Sequence, residues 1–216
     1  MNDNYLTIAL GKGRLAKTTM KLFNKIGIDC VEMQDPKTRK LIFVNEEAKL
    51  KFFLAKVPDV PTYVEYGAAD IGVVGLDTIL EENRNIFDVL DLGFGKCKMC
   101  ICGPKEAGEL LESKEIIRVA TKYPRICKDY FYNKKNQTVD IIKLNGSIEL
   151  APILELTDVI CDIVETGSTL RENGLCVLEE VCDLSARVVV NQVSYRLENK
   201  RITDLVSRLN DALKDE

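Results

Sequence analysis

Histidine is absent from the 216 residues. Eight cysteines are present, but without histidine and without a second cysteine pair at zinc-finger spacing the thiols of Cys97, Cys100 and Cys102 in "KCKMCIC" read as reduced core side chains rather than metal ligands. That segment also alternates as a strand does, which turns Cys100 and Cys102 to one face and Cys97 to the other. No apolar run approaches the roughly 20 residues of a membrane-spanning helix. The start, "MNDNYLTIALGKGRL", lacks the basic opening and long apolar core of a signal peptide, so a cytoplasmic protein is expected. Positive charge is not in excess: the net charge is −4, which excludes broad electrostatic binding to nucleic acid or an anionic membrane and requires any anion site to be a local concentration of lysine and arginine. Repeats, low-complexity tracts and long linkers are missing too. What remains is a chain with 46% hydrophobic residues, enough to build one large or two small domains, and a ligand that is expected to be small.

Short apolar runs alternate with longer segments of helical period, the pattern of an α/β fold. "YLTIAL" (5–10) predicts a buried strand, followed by a helix from Leu15 that Gly27 stops. Strands are predicted at 40–44, 50–55 and 70–74, with helices from about Val60 to Gly67 and from Leu76. After "DLGFG" (91–95) the pattern begins again. Strands follow at 96–102, 116–120, 139–144 and 159–164, with helices from Pro124 and Ser147, and this restart implies a second lobe. The chain then returns to an apolar run, "RVVVNQVSY" (187–195), and a last helix over 201–213, whose Ile202, Leu205, Val206, Leu209 and Leu213 share one face.

The chemistry concentrates in "CDIVETGSTL" (161–170). A strand there runs into a Thr-Gly-Ser-Thr turn that opens a helix, where free backbone N–H groups favour an anion. Gly167 admits the ligand to the backbone, and Thr166, Ser168 and Thr169 can each donate a hydroxyl hydrogen bond. Carboxylates repel a phosphate, so Asp162 and Glu165 must grip another part of the ligand. The hydroxyls of a ribose suit them, and a phosphorylated sugar has both parts. The turn lacks the lysine of a P-loop. Its simplest alternative is an ordinary strand-to-helix turn with Ser168 as N-cap.

"GKGR" (11–14) stands between the first strand and the first helix. Gly11, Gly13 and Ala16 fit the permissive dinucleotide fingerprint, with Glu32 as its acid. Alternatively, Lys12 and Arg14 are a cationic pair for a highly charged group such as diphosphate, or simply solvated charges. "RKLIF" places Arg39 and Lys40 ahead of a strand, usually a hairpin surface. "VPTYVEYGAADIGVVGLD" (60–77), with Gly67, Gly72, Gly75 and Asp77, looks like a strand end that meets a ligand closely.

Taken together, "VICDIVETGSTL", "GKGRL", "RKLIF", "DVPTYVEYGAADIGVVG", "ATKYP" and "IIKLNGSIELAP" resemble the ATP phosphoribosyltransferase family over nearly the whole chain. Gly11 departs from relatives that often carry proline or serine there. The resemblance implies a two-lobed fold like that of type II periplasmic binding proteins, with residues 1–92 and 175–216 forming one lobe, 93–174 the other, and the active site in the cleft between them. It implies transfer of a phosphoribosyl group to ATP with Mg²⁺ present and diphosphate released. It gives Arg14 and Arg39 the catalytic role, Asp162, Glu165, Thr166, Gly167, Ser168 and Thr169 the phosphoribosyl diphosphate, and Lys12, Gly75, Asp91, Lys98, Lys122 and Tyr123 the ATP. After the last helix only "KDE" follows, which resembles the short form of the family. That form implies a homodimer or larger oligomer and a regulatory subunit similar to histidyl-tRNA synthetase. Two other function classes share parts of the pattern: a periplasmic-type ligand-binding module, and a nicotinamide oxidoreductase built on "GKGRLA".

Overall fold

The computed structural model describes residues 5–34, 38–113 and 116–214. The first residues of the N-terminal segment and the last two of "KDE" fall outside that range. The chain divides into two compact units, one running to Gly95 and resuming at Ser185, the other spanning Lys96–Leu184.

In the first unit, β1 (Leu6–Gly11), β3 (Leu50–Ala55) and β4 (Ile71–Gly75) run parallel. β2 (Ile42–Asn45) pairs antiparallel with β3 at one edge. β11 (Ala186–Asn191) returns antiparallel between β4 and β5 (Ile86–Asp91), completing the order β2-β3-β1-β4-β11-β5. The central strands are apolar on both sides because both faces are covered. On one face Leu6, Ile8, Leu10, Phe52, Ile71 and Val188 pack against α1 (Arg14–Lys25) and α9 (Asn199–Lys214). Phe23 of α1 meets Phe52 edge-on at 5.3 Å between ring centroids. α9 buries Ile202, Leu205 and Leu209, the spacing of one helical face, with Val206 and Leu213 partly buried beside them.

On the other face Ala9, Val74 and Val189 lie under Val60 and Val64 of α2 (Val60–Glu65), with Ile79 of α3 (Leu76–Glu82) beside them. α2 approaches β4 so closely that a Cβ on Gly72 would sit 2.8 Å from Val64 Cγ2 and 2.9 Å from Val60 Cγ1. Within the apolar run 187–195 the strand ends at Asn191, whose side chain caps α8 (Gln192–Leu197) by accepting from the backbone N–H of Val193 and Ser194. Its amide nitrogen donates to the carbonyls of Val64 and Glu65, tying that cap to the end of α2.

The second unit holds the sheet β10-β6-β9-β7-β8: β6 (Cys97–Gly103), β7 (Ile117–Thr121), β8 (Val139–Lys143), β9 (Val159–Val164) and β10 (Cys176–Leu184). β7, β8 and β9 are parallel, while β6 is antiparallel to both β9 and β10. Helices α4 (Gly108–Glu112), α5 (Pro124–Lys128, continued as a π-helical turn to Lys134), α6 (Leu150–Ile153) and α7 (Ser168–Glu172) connect them. α6 begins three residues later than the helix expected from Ser147. Cys100 and Cys102 pack with Ala120, Ile148, Ile160 and Leu170 on one face. Burial pushes the Cys100 thiol up to about 11 and Cys102 higher still, as befits core thiols. The second lobe does not end at 174 as expected. It extends ten residues further because β10 pairs with β6, Cys176 opposite Gly103 and Leu184 opposite Cys97.

Candidate functional site

In the second unit the ends of four strands meet at one edge of the sheet. Parallel β7, β8 and β9 finish there, and antiparallel β6 starts there, with Lys98 opposite Val164. Ligands of open α/β sheets bind beyond such carboxyl ends. This edge gathers Lys98, Lys122, Tyr123, Asp162 and the 165–169 turn. Gly167, not Ser168, occupies the N-cap position of α7, with φ 69° and ψ 12°, so no side chain caps that helix. The turn is closed from within: Thr166 Oγ1 lies 3.0 Å from Ser168 Oγ, and Arg171 Nη1 donates to the Thr166 carbonyl at 3.0 Å. Asn173 Nδ2 donates to the Thr169 carbonyl at 2.8 Å. The hydroxyl side chains of Thr166, Ser168 and Thr169 are exposed, as a ligand cradle requires.

Asp162 sits behind this turn, half-buried on the face of β9 that carries Ile160. Its Oδ1 accepts from the N–H of Ile163 at 2.8 Å. Burial raises its pKa above the ordinary aspartate value. The Ile163 N–H opposes that shift, Glu149 adds to it by like charge, and Lys122 opposes it as a cation. Glu149 precedes α6 and lies in the quoted "IIKLNGSIELAP", yet nothing in sequence spacing brings it to Asp162. The parallel β7-β8-β9 order does. Lys122 also lies over the Tyr123 ring, 5.8 Å from its centroid. The turn is anchored by Thr121, whose Oγ1 donates to the Cys161 carbonyl at 2.6 Å and accepts from the Tyr123 N–H at 2.9 Å. Lys98 Nζ is paired with Glu180 Oε2 at 2.6 Å, a hydrogen bond that raises the lysine pKa.

The first unit has an equivalent edge. β1, β3, β4 and β5 all end on it, and β11 begins there, with Ala186 opposite Gly75 and Arg187 opposite Asp91. Lys12 and Arg14 follow β1 at this edge, both exposed, with Gly13 between them at φ 124°, a conformation that favours glycine. Lys12 N donates to the Ala55 carbonyl, holding the turn against the end of β3. Arg39 is exposed, three residues before β2, whose Ile42 pairs with Phe53 near that same end of β3. Asp91 is held by the Gly93 N–H on one oxygen and by Arg187 on the other. The dinucleotide alternative loses its acid: the chain after α1 forms a 3₁₀ turn at Val31–Gln34, where Glu32 pairs with Lys40 at 2.7 Å on the surface.

Among the described residues no helix is long and apolar enough to cross a membrane. The family model described as "HisG: ATP phosphoribosyltransferase" matches residues 56–211. A curated ATP phosphoribosyltransferase of Lachnoclostridium phytofermentans is 69% identical over 211 residues, covering 98% of each chain. The solved ATP phosphoribosyl transferase (HisG:HisZ) complex from Thermotoga maritima matches with a TM-score of 0.81 at 32% identity, over 98% of this chain and 100% of that one. A structure of Tv2483 bound to L-arginine matches with a TM-score of 0.62 at 12% identity, over 99% and 85% of the two chains, which is a likeness of fold.

Proposed function

Since the chain belongs to the ATP phosphoribosyltransferase family, we propose that its two sheet edges divide the substrates of that reaction, phosphoribosyl diphosphate on the second unit and ATP chiefly on the first. The enzyme joins N1 of the ATP adenine to C1 of phosphoribosyl diphosphate and releases diphosphate, the first step of histidine biosynthesis. The observation that carries the division is the 165–169 turn, with its left-handed Gly167 and three exposed hydroxyls, set in front of the half-buried carboxylate of Asp162. In this reading the turn takes the 5-phosphate, Asp162 and Glu165 take the sugar hydroxyls, and a cleft between the two units, as in type II periplasmic binding proteins, brings the substrates together. Lys12, Gly75, Asp91, Lys98, Lys122 and Tyr123 face the ATP. Diphosphate release that requires both ATP and phosphoribosyl diphosphate tests the function; release with either substrate alone would overturn it.

Breaking the C1–O bond leaves an oxocarbenium-like sugar and a diphosphate of growing negative charge. Arg14 and Arg39 supply fixed positive charge for that group. Mg²⁺, carried on the substrate phosphates, adds further charge neutralisation when bound, and the hard carboxylate oxygens of Asp162 and Glu165 beside the turn fit such an ion.

Asp162 sets a pH dependence. Its pKa is raised in the folded protein, so on acidification it takes up a proton at a higher pH than an ordinary aspartate and ceases to be a pure acceptor for sugar hydroxyls. The KM for phosphoribosyl diphosphate is therefore expected to climb as pH falls, and Asp162→Asn to weaken binding throughout while flattening that acid limb. An acid limb of equal steepness in the variant would assign it to another group.

We infer a cytoplasmic protein that works as a homodimer or larger oligomer joined by a histidyl-tRNA-synthetase-like regulatory subunit. The likeness to the HisG:HisZ complex over 98% of the chain supports this assembly. The isolated chain is then expected to respond little to histidine and to gain inhibition when the partner is added. Strong histidine inhibition of the isolated chain would refute it.

A further inference from the structure

Arg187 is the one charged side chain of β11, "ARVVVN", and no step of the reaction above uses it. Its Nη2 lies 3.2 Å from Asp91 Oδ2 and its Nη1 3.5 Å from Asp88 Oδ2. Two residues three apart on a regular strand face opposite ways. Here the β11–β5 register shifts between Val188 and Val189, where the pairing skips Val89, and that irregularity returns Asp88 and Asp91 to the same side, within reach of one guanidinium. The other oxygen of Asp91 accepts from the Gly93 N–H at 2.9 Å, so the carboxylate is fixed at both ends. Arg187 Nε is buried and makes no hydrogen bond, so the forked end carries the whole polar function of the side chain.

We propose that Arg187 is a positioning residue for the nucleotide end of the site: anchored by Asp88, it orients Asp91 to accept a hydrogen bond from ATP. The inference rests on the reading that Asp91 faces ATP. A planar fork can hold two carboxylates at once, whereas an ammonium can match the charge but not the geometry.

Steady-state kinetics on Asp91→Asn, Arg187→Gln, Arg187→Lys and the Asp91→Asn/Arg187→Gln double variant test it, with thermal unfolding as the control for folding. Asp91→Asn is expected to raise the KM for ATP. Arg187→Gln is expected to raise it roughly tenfold while leaving that for phosphoribosyl diphosphate within about twofold. Arg187→Lys should recover part of the loss, and the double variant should be no worse than Asp91→Asn alone, because both changes remove one coupled interaction. If both KM values rise together as the unfolding temperature falls, Arg187 is only a structural ion-pair residue. An unchanged KM for ATP in Arg187→Gln, beside a raised one in Asp91→Asn, overturns the positioning role alone. An unchanged KM for ATP in Asp91→Asn removes the nucleotide reading of Asp91 and the inference with it. Should Arg187→Gln fail to fold, Arg187→Lys decides: wild-type KM for ATP there would show that charge without fork geometry suffices and would overturn the proposal.

Discussion

Arg14→Ala is expected to slow the chemical step by roughly 10²–10³-fold while changing substrate affinity far less. Arg14 is the first residue of α1, carried directly behind the β1 turn by Gly13, and its side chain is exposed at the edge where β1, β3 and β4 end. In the proposed role, a cation there meets some negative charge in bound diphosphate, but the charge it faces grows as the C1–O bond breaks. Its contribution is therefore larger in the transition state than in the ground state, and such a difference appears in kcat rather than KM. Arg39→Ala should behave alike. Because Arg39 lies ahead of the edge strand β2, it can also serve a neighbouring subunit, and mixing two singly disabled variants would then restore part of the activity. Single-turnover rates measured at saturating substrates provide the check. Wild-type rates in Arg14→Ala and Arg39→Ala would remove both from the mechanism. Raised KM values with unchanged kcat would reduce them to binding residues. Arg14→Lys should fall between, since an ammonium keeps the charge and loses the bidentate geometry.

Elements whose signals are local were legible in the sequence, and those defined by distant partners were not. β1, β4 and β9 are apolar runs bounded by turns, and α9 repeats its buried residues at helical spacing. β5, "IFDVLD", was missed because two acids interrupt its apolar pattern. Those acids are tolerated because Arg187, almost a hundred residues later, pairs with both. β10, "CVLEEVCDL", breaks strict alternation because its pairing with β6 shifts register twice, between Val177 and Glu179 and between Glu180 and Cys182. Overlooking that strand displaced the expected lobe boundary from 184 to 174. The site divides the same way. The Thr-Gly-Ser-Thr turn announces itself by residue type, and Asp162 by its place on the strand that feeds it. Glu149 and Arg187 gain meaning only from neighbours that sheet order supplies, although a lone arginine in a buried strand was a signal open to reading.

Gly167→Val is expected to weaken phosphoribosyl diphosphate binding by roughly 10²-fold, through more than one lost contact. Gly167 sits at φ 69°, where a β-branched residue is strained by about 1–3 kcal/mol. A Cβ at this position would also stand 3.2 Å from Arg171 Nη1, the group that donates to the Thr166 carbonyl and closes the turn. Relief of either strain opens the turn and disperses the backbone N–H groups that an anion needs together. Thr169→Ala is a milder test of the same surface. It removes one hydroxyl and leaves the backbone alone, so the loss should be that of a single charge-assisted hydrogen bond, about 1.5–3 kcal/mol, with Thr169→Ser retaining most of the affinity. Neither change touches the packing of Leu170, which anchors α7 in the core beneath, so far-ultraviolet circular dichroism and the cooperativity of unfolding should be preserved. Calorimetric titration with phosphoribosyl diphosphate separates the outcomes. Unchanged affinity in both variants would mean that the turn is a plain strand-to-helix connection and that the 5-phosphate binds elsewhere. Loss in Gly167→Val with none in Thr169→Ala would assign the recognition to backbone amides rather than hydroxyls, because only the first variant alters where those amides point.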